Sequence, residues 1–446
     1  MATHQSEDSK DPWKYTIVVS KFVINCIEVA ISKSFGVLIP VMINILSTNT
    51  KTIGLACSMP SAWMNIACPA VAYVLKTGVL TPRMIALIGA FLSSAFLIAA
   101  GFTTSIPELG LCLSLTGVGL SMGYFSSKVM LNEYFKRSYV LMAAVANLGS
   151  ATGAFIAPFV IERSLEAYGY IGAMLILSAF SLHAIPASAT LKKPRDRPSK
   201  PAMKDDNDDE TTGSEEKLAR VEDDECISKE EPKSSTGCLT NLKEWLKNCI
   251  LIKEPLFTMA LPCLFFTSVC LNAWVLFLVP RAEWHGIPSS KAVFVSTAGG
   301  TGGIVGRVFF IALLYFGANP IVLSCVFFML SAVTFLADPF ITTFPVMCVV
   351  SFIQGWSVFS GNLALPGYLK YSVSDENFTM AAGIYGLVSG LGGISGGFLG
   401  GLIKDATQSF TTVFVGIGFG FCFLEVNALL FLLALRRKQK KRANDL

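Results

Sequence analysis

Along the chain, long apolar runs alternate with short polar breaks. The runs cover about residues 15–40, 52–75, 82–102, 109–132, 140–161 and 169–191, then about 255–280, 290–316, 320–337, 344–368, 379–402 and 411–435. A helix rises about 1.5 Å per residue, so runs of this length cross a hydrocarbon core roughly 30 Å thick. The pattern predicts an all-α membrane protein, with twelve transmembrane helices in two six-helix bundles. The expected order is a polar tail at 1–14, a bundle at 15–192, a charged linker at 193–250, a second bundle at 251–436 and a basic tail at 437–446. The linker is poor in apolar residues and rich in Lys, Glu, Asp and Ser, which predicts a disordered tether.

Composition agrees with the pattern. Of 446 residues, 52% are hydrophobic and 15% charged, against about 25% charged in soluble domains. The formal charge of +4 hides a segregation, because 13 of the 31 acidic residues lie between Asp205 and Glu231. Lys76, Arg83, Lys136, Arg137, the Lys192–Arg197 cluster and the C-terminal cluster fall on one side of the alternating runs. The positive-inside rule then puts both termini and the linker in the cytosol of a multi-pass protein, expected in the plasma membrane. The basic tail suits anionic cytosolic lipid, at about 1 kcal/mol per basic residue near the surface. The first fourteen residues are polar and the first apolar run is too long for a leader's core, so no cleavable leader is expected.

Chemistry narrows next. The twelve cysteines mostly stand singly in apolar runs and read as reduced packing residues. His4, His183 and His285 are too scattered to predict a metal site. Glycine clusters such as Gly117-Val-Gly119, Gly390-Leu-Gly392-Gly393 and Gly416-Ile-Gly418 sit in apolar helical runs without a preceding strand, so close helix packing is expected rather than a dinucleotide loop. No nucleophile–base pair or phosphate loop is present, and the sequence predicts no enzyme, no cofactor and no nucleic-acid partner. The sequon Asn377-Phe378-Thr379 falls in a loop placed in the cytosol, so no glycan is expected there.

The informative residues are charges inside apolar runs. Arg307 lies within the run from Phe294 to Phe316, behind Gly299, Gly300, Gly302, Gly303 and Gly306. A charge at that depth costs about 3 kcal/mol on insertion scales, so it faces a cavity or a partner. The glycines allow close helix approach and leave room around the guanidinium, which predicts an anion site around Arg307. Lys21, Glu28 and Lys33 share the first run. At 100° per residue Lys21 and Glu28 lie on one face, and Lys33 points about 140° from Glu28. Lys21 is expected to snorkel, and Lys33 to serve substrate capture or gating near the outer mouth. Lys128 either snorkels or faces the cavity. Glu28 is either a proton carrier or a structural partner of Lys21 or Lys128. Glu425 either pairs with a basic neighbour or faces the lipid boundary.

Four stretches together resemble the monocarboxylate transporter family, a branch of the major facilitators, over both halves. They are Ser32-Lys33-Ser34-Phe35-Gly36-Val37, then Tyr134-Phe135-Lys136-Arg137 with Gly149-Ser150-Ala151-Thr152-Gly153. The others are Gly302-Gly303-Ile304-Val305-Gly306-Arg307, and Gly396-Gly397-Phe398-Leu399-Gly400-Gly401 with Lys404-Asp405. The resemblance implies the major facilitator fold, alternating access and a small organic anion as substrate, such as lactate or pyruvate. It implies Arg307 as the carboxylate ligand and Lys33 as the outward-facing capture residue. Glu28 and Lys128 are the candidates for coupling to protons. Some members of the family need a single-span accessory glycoprotein, a further candidate partner beside membrane lipid. The departures are as informative. Gly303 stands where proton-coupled members usually carry an aspartate, the entry motif is reduced to Asp11-Pro12-Trp13-Lys14-Tyr15, and Ala143-Ala144 replaces a common Asn-Gly. They mark a divergent member. They leave open a uniporter of an uncharged or aromatic solute, or a non-transporting membrane receptor or scaffold.

Overall fold

The computed structural model describes residue 8 and residues 11–48, 50–194 and 250–444. All but the ends of the linker expected at 193–250 lies outside the described residues, as does most of the tail at 1–14. The chain divides into two units, one made of its N-terminal and C-terminal portions and the other of residues 195–253. Within the latter, Ile250–Lys253 is a single helical turn.

Twelve rods build the main unit. The first four are α1 (Lys14–Ile45), α2 (Thr50–Ile66, continued by Cys68–Thr77), α3 (Pro82–Ala100) and α4 (Ile106–Tyr134). Next come α5 (Tyr139–Ala146, continued over 148–168) and α6 (170–182, continued by Ala184–Ala189). The second half holds α7 (Pro255–Trp284), α8 (Ser289–Tyr315), α9 (Pro320–Leu336) and α10 (Phe344–Leu363, continued by Leu365–Ser372). It closes with α11 (Phe378–Thr407) and α12 (Phe410–Asn444). Among the described residues nine helical segments are long and apolar enough to cross a membrane, and Pro320–Leu336 is a shorter apolar one. The Tyr139–Ala189 segment is two rods and the broken α2 one more, which makes twelve.

Local sequence explains the breaks. The expected loop between α5 and α6 is absent: helix runs on to Gly169, whose φ of 67° turns the chain where a β-carbon would strain it. The Pro366 ring cannot continue the ladder of Phe344–Leu363, and α10 restarts after Ala364 with proline in its first turn. The last rod outruns its apolar stretch and carries Arg436–Lys441 onto the helix end.

Each half has its own apolar core. Phe35, Leu97, Leu113 and Met174 lie at the centre of the first, and Trp274, Phe310, Phe335 and Phe421 at the centre of the second. Helices in lipid associate through van der Waals contact rather than water exclusion, so small residues at the seams decide which rods approach. β-Carbons added to Gly149 and Gly153 of α5 would run into the Phe22 and Cys26 carbonyls of α1. Added to Gly302 of α8 and Gly355 of α10, they would run into the Phe352 and Gly299 carbonyls. Glycine clusters therefore bring helices together, as expected. The two halves meet through α2 and α11, where Gly383, Gly386 and Gly390 lie on Ala72, Cys68 and Asn65. They meet again where Tyr139 stands edge-on to Phe378, 5.4 Å between ring centroids. These contacts lie from mid-helix toward the end at which α1 begins and α12 finishes.

Candidate functional site

Arg307 is carried by α8, the rod whose glycine seam locks it to α10. Its Cζ lies 4.2 Å from the centroid of the Phe359 ring of α10. No described residue gives it an ion pair or a hydrogen bond. A β-carbon on Gly303, one turn earlier, would strike Cδ2 of the same ring. The space beside Gly303 is thus taken by this ring. Gly302, Gly303 and Gly306 all face atoms of α10, and only Gly300 looks onto open space. Behind Phe359 stands Trp274 of α7, with centroids 6.0 Å apart and planes at 71°. The Trp274 indole N–H donates to Gln354 Oε1 at 3.1 Å.

The first half contributes a second group of charges. Lys21 is 5% exposed and Lys128 6%, so neither snorkels. Lys21 Nζ donates to the Tyr124 carbonyl at 3.1 Å and stands 3.5 Å from the centroid of that ring. Lys128 Nζ lies 3.7 Å from the centroid of Tyr385 on α11, across the halves. Glu28 is half-buried and near enough to Lys21 for their charges to interact, without a salt-bridge contact. Lys33 is exposed, and its neighbour Gly36 has no atom within 4 Å of the place a β-carbon would take. Glu425 does neither of the two things expected of it: it is 8% exposed, and its Oε2 has no partner among the described residues.

Three residues that the sequence does not point to complete the picture. Phe359, Tyr124 and Tyr385 supply the ring faces on which the half-buried Arg307 and the buried Lys21 and Lys128 rest. A cation over an aromatic face gains about 2 kcal/mol when desolvated, so a ring does part of what an acid would do without neutralising the charge.

Two polar clusters lie at helix ends. Arg281 of α7 meets Asp338 after α9, with Nη2 2.6 Å from Oδ1 and Nε donating to Oδ2 at 3.0 Å. Burial pushes the Asp338 carboxyl up to about 6 against the pull of Arg281. At the opposite end Glu254 accepts from the Ser374 N–H at 3.1 Å and from Asn377 Nδ2 at 3.4 Å. Burial raises the Glu254 carboxyl, but these hydrogen bonds and nearby Lys438 outweigh it and hold the group below the usual range.

The rods form a helical bundle in which Arg307, Lys21 and Lys128 each rest on an aromatic ring. The profile of the Major Facilitator Superfamily matches residues 22–337, more than half of the chain, and the chain belongs to that superfamily. Within it the chain is similar to human monocarboxylate transporter 12, 26% identical over 354 residues, which cover 76% of this chain and 65% of that protein. This chain thus spans a little less than two thirds of that human relative. Zebrafish (Danio rerio) monocarboxylate transporter 12-B is 25% identical over 82% of this chain and 76% of its own. The fold is also that of a solved Major Facilitator Superfamily transporter, FucP, described in the outward conformation. The TM-score is 0.68 at 13% identity, over 94% of this chain and 99% of that one.

Proposed function

We propose that the protein is a secondary transporter of small monocarboxylates of the lactate and pyruvate class, working by alternating access. The observation that supports this most is the state of Arg307: a cation inside the bundle whose charge no described acid neutralises and whose N–H edge no described acceptor occupies. A planar guanidinium can take both oxygens of a carboxylate in a site shielded from water. Lys33, exposed on α1, would capture the anion at the mouth. Rocking of the halves would then expose Arg307 to each side in turn. Glu28 and Lys128 are second-rank groups for proton coupling. A plasma-membrane location, cytosolic termini and a single-span accessory glycoprotein belong to the same reading.

The test is uptake of labelled lactate and pyruvate into proteoliposomes, with and without an inward proton gradient. Gradient-driven uptake supports symport with Glu28 as proton carrier. Uptake indifferent to the gradient supports a uniporter or exchanger built on Arg307. No uptake of either contradicts the monocarboxylate reading. A second reading, facilitated movement of an uncharged or aromatic solute, draws support from the ring wall of Phe359 and Trp274 beside the cation.

A further inference from the structure

Phe359 is fixed from three sides. The glycine seam between α8 and α10 sets its backbone against α8, and its ring edge fills the groove that the missing side chain at Gly303 leaves open. Trp274 closes the remaining side and is itself held through its N–H to Gln354, whose amide reaches the Thr334 carbonyl at 3.5 Å. Among the described residues, the Arg307 guanidinium rests on this braced ring and has no hydrogen bond or ion pair.

We propose that Phe359 is the positioning residue of the site: its ring, wedged over Gly303, carries the Arg307 guanidinium over its face and, offering no acceptor lone pair, leaves the N–H groups for an anion. This rests on the reading of Arg307 as the anion-binding group. A carboxylate partner would occupy the edge and would have to be displaced or protonated before a substrate carboxylate could bind. A ring has no carboxylate oxygens to occupy the N–H groups. The arrangement therefore presents a fixed, uncompensated cation to monoanions without requiring a proton at this position.

The experiment labels the full-length reconstituted protein with the arginine reagent phenylglyoxal and follows modification of Arg307 by peptide mass spectrometry. It compares the native chain with Phe359→Tyr, Phe359→Leu and Phe359→Ala. Loss of the ring is expected to speed labelling of Arg307 in the Leu and Ala proteins, whereas Tyr keeps the native rate. Millimolar pyruvate should protect Arg307 in the native and Tyr proteins, with protection weakened roughly 5- to 30-fold in the Leu protein, the loss of one cation–π contact. Phe359→Leu retains most of the volume, so it decides the matter if Phe359→Ala does not fold. Native-like labelling and protection in the Leu protein would show that the ring merely fills space and would overturn the proposal. Equal labelling in all four proteins, or none in any, would overturn it too. Failure of pyruvate to protect Arg307 in any protein, with ring-dependent labelling intact, would reject the pyruvate-type anion reading and leave Phe359 as the residue that positions the guanidinium.

Discussion

Lys128 and Asn132, one turn apart on α4, both reach across to the second half. Lys128 rests on the Tyr385 ring of α11, and Asn132 accepts from Lys370 of α10 at 2.9 Å. Lys370 is in turn paired with Asp375 at 2.6 Å. Two stacked contacts on one helix face tie the halves together at the termini-bearing end. Under the alternating access proposed above, opening of that end must break both. We predict that Lys370→Met combined with Tyr385→Leu shifts the protein toward opening at this end. Spin labels at Arg137 and Glu376, one exposed on each half there, should report a distance distribution moved outward by several ångströms. An unchanged distribution would mean that these contacts do not hold the closed state.

The ring over Gly303 makes the effect of restoring an acid predictable. Gly303→Asp alone must push into Phe359, and overpacking of that kind costs about 1–3 kcal/mol. The double variant Gly303→Asp with Phe359→Ala has room for the carboxylate beside Arg307. Its anion uptake is expected to become more dependent on external protons than that of the native protein, because the new acid must be protonated before Arg307 is free. Identical pH profiles for the two proteins would show that the acid and Arg307 do not meet.

The glycine seam gives a stability test with an internal control. Gly302→Ala and Gly355→Ala drive a methyl into a neighbouring backbone carbonyl, which cannot move aside as a side chain can. Gly300→Ala on the same helix meets nothing. Melting in detergent should be lowered by several degrees in the first two and little changed in the third. Three equal melting temperatures would contradict the close approach of α8 and α10.

The Arg281–Asp338 pair should be costly to halve. Removing one partner of a buried pair typically costs about 3–5 kcal/mol, so Arg281→Met should melt well below the native protein. Burial holds the Asp338 carboxyl near 6, above its unfolded value near 3.8. A raised acid binds its proton more tightly when folded, so folding is favoured as pH falls through that window. Without the pull of Arg281 the Asp338 carboxyl rises further in Arg281→Met than in the native protein and gains more from protonation, so the variant's deficit should shrink between pH 7 and pH 5, read as a narrowing gap between the two melting curves. A gap that widens would place Asp338 in a wetter setting than its 1% exposure indicates.

Much of the fold was legible because hydropathy records membrane depth directly, and a charge such as Arg307 inside a run is conspicuous. The bend at Gly169 was not, since Glu162, Arg163 and Glu166 read as a loop but ride on continuing helix, two of them as an i,i+3 ion pair at 2.8 Å. The site was legible on its cationic side only. Nothing about a lone phenylalanine in an apolar run marks Phe359 as the partner of Arg307. Gly303 was the one hint, and it read as space rather than as a socket. The Asn132–Lys370 bond joins residues 238 apart in sequence, and local pattern carries no information at that separation. Lys21 reads as a snorkelling residue from its position near a helix end, but the Tyr124 carbonyl and ring give it a partner inside the bundle.

The most direct measurement is uptake of labelled pyruvate and lactate by Arg307→Ala and Arg307→Lys proteins that reach the membrane in native amounts. Loss of a bidentate, charge-assisted contact is expected to abolish uptake in the first. Because an ammonium cannot reproduce the planar fork, uptake should fall at least tenfold in the second. Native-level uptake by Arg307→Ala would contradict the account, since the anion would then cross without the cation around which the site is built.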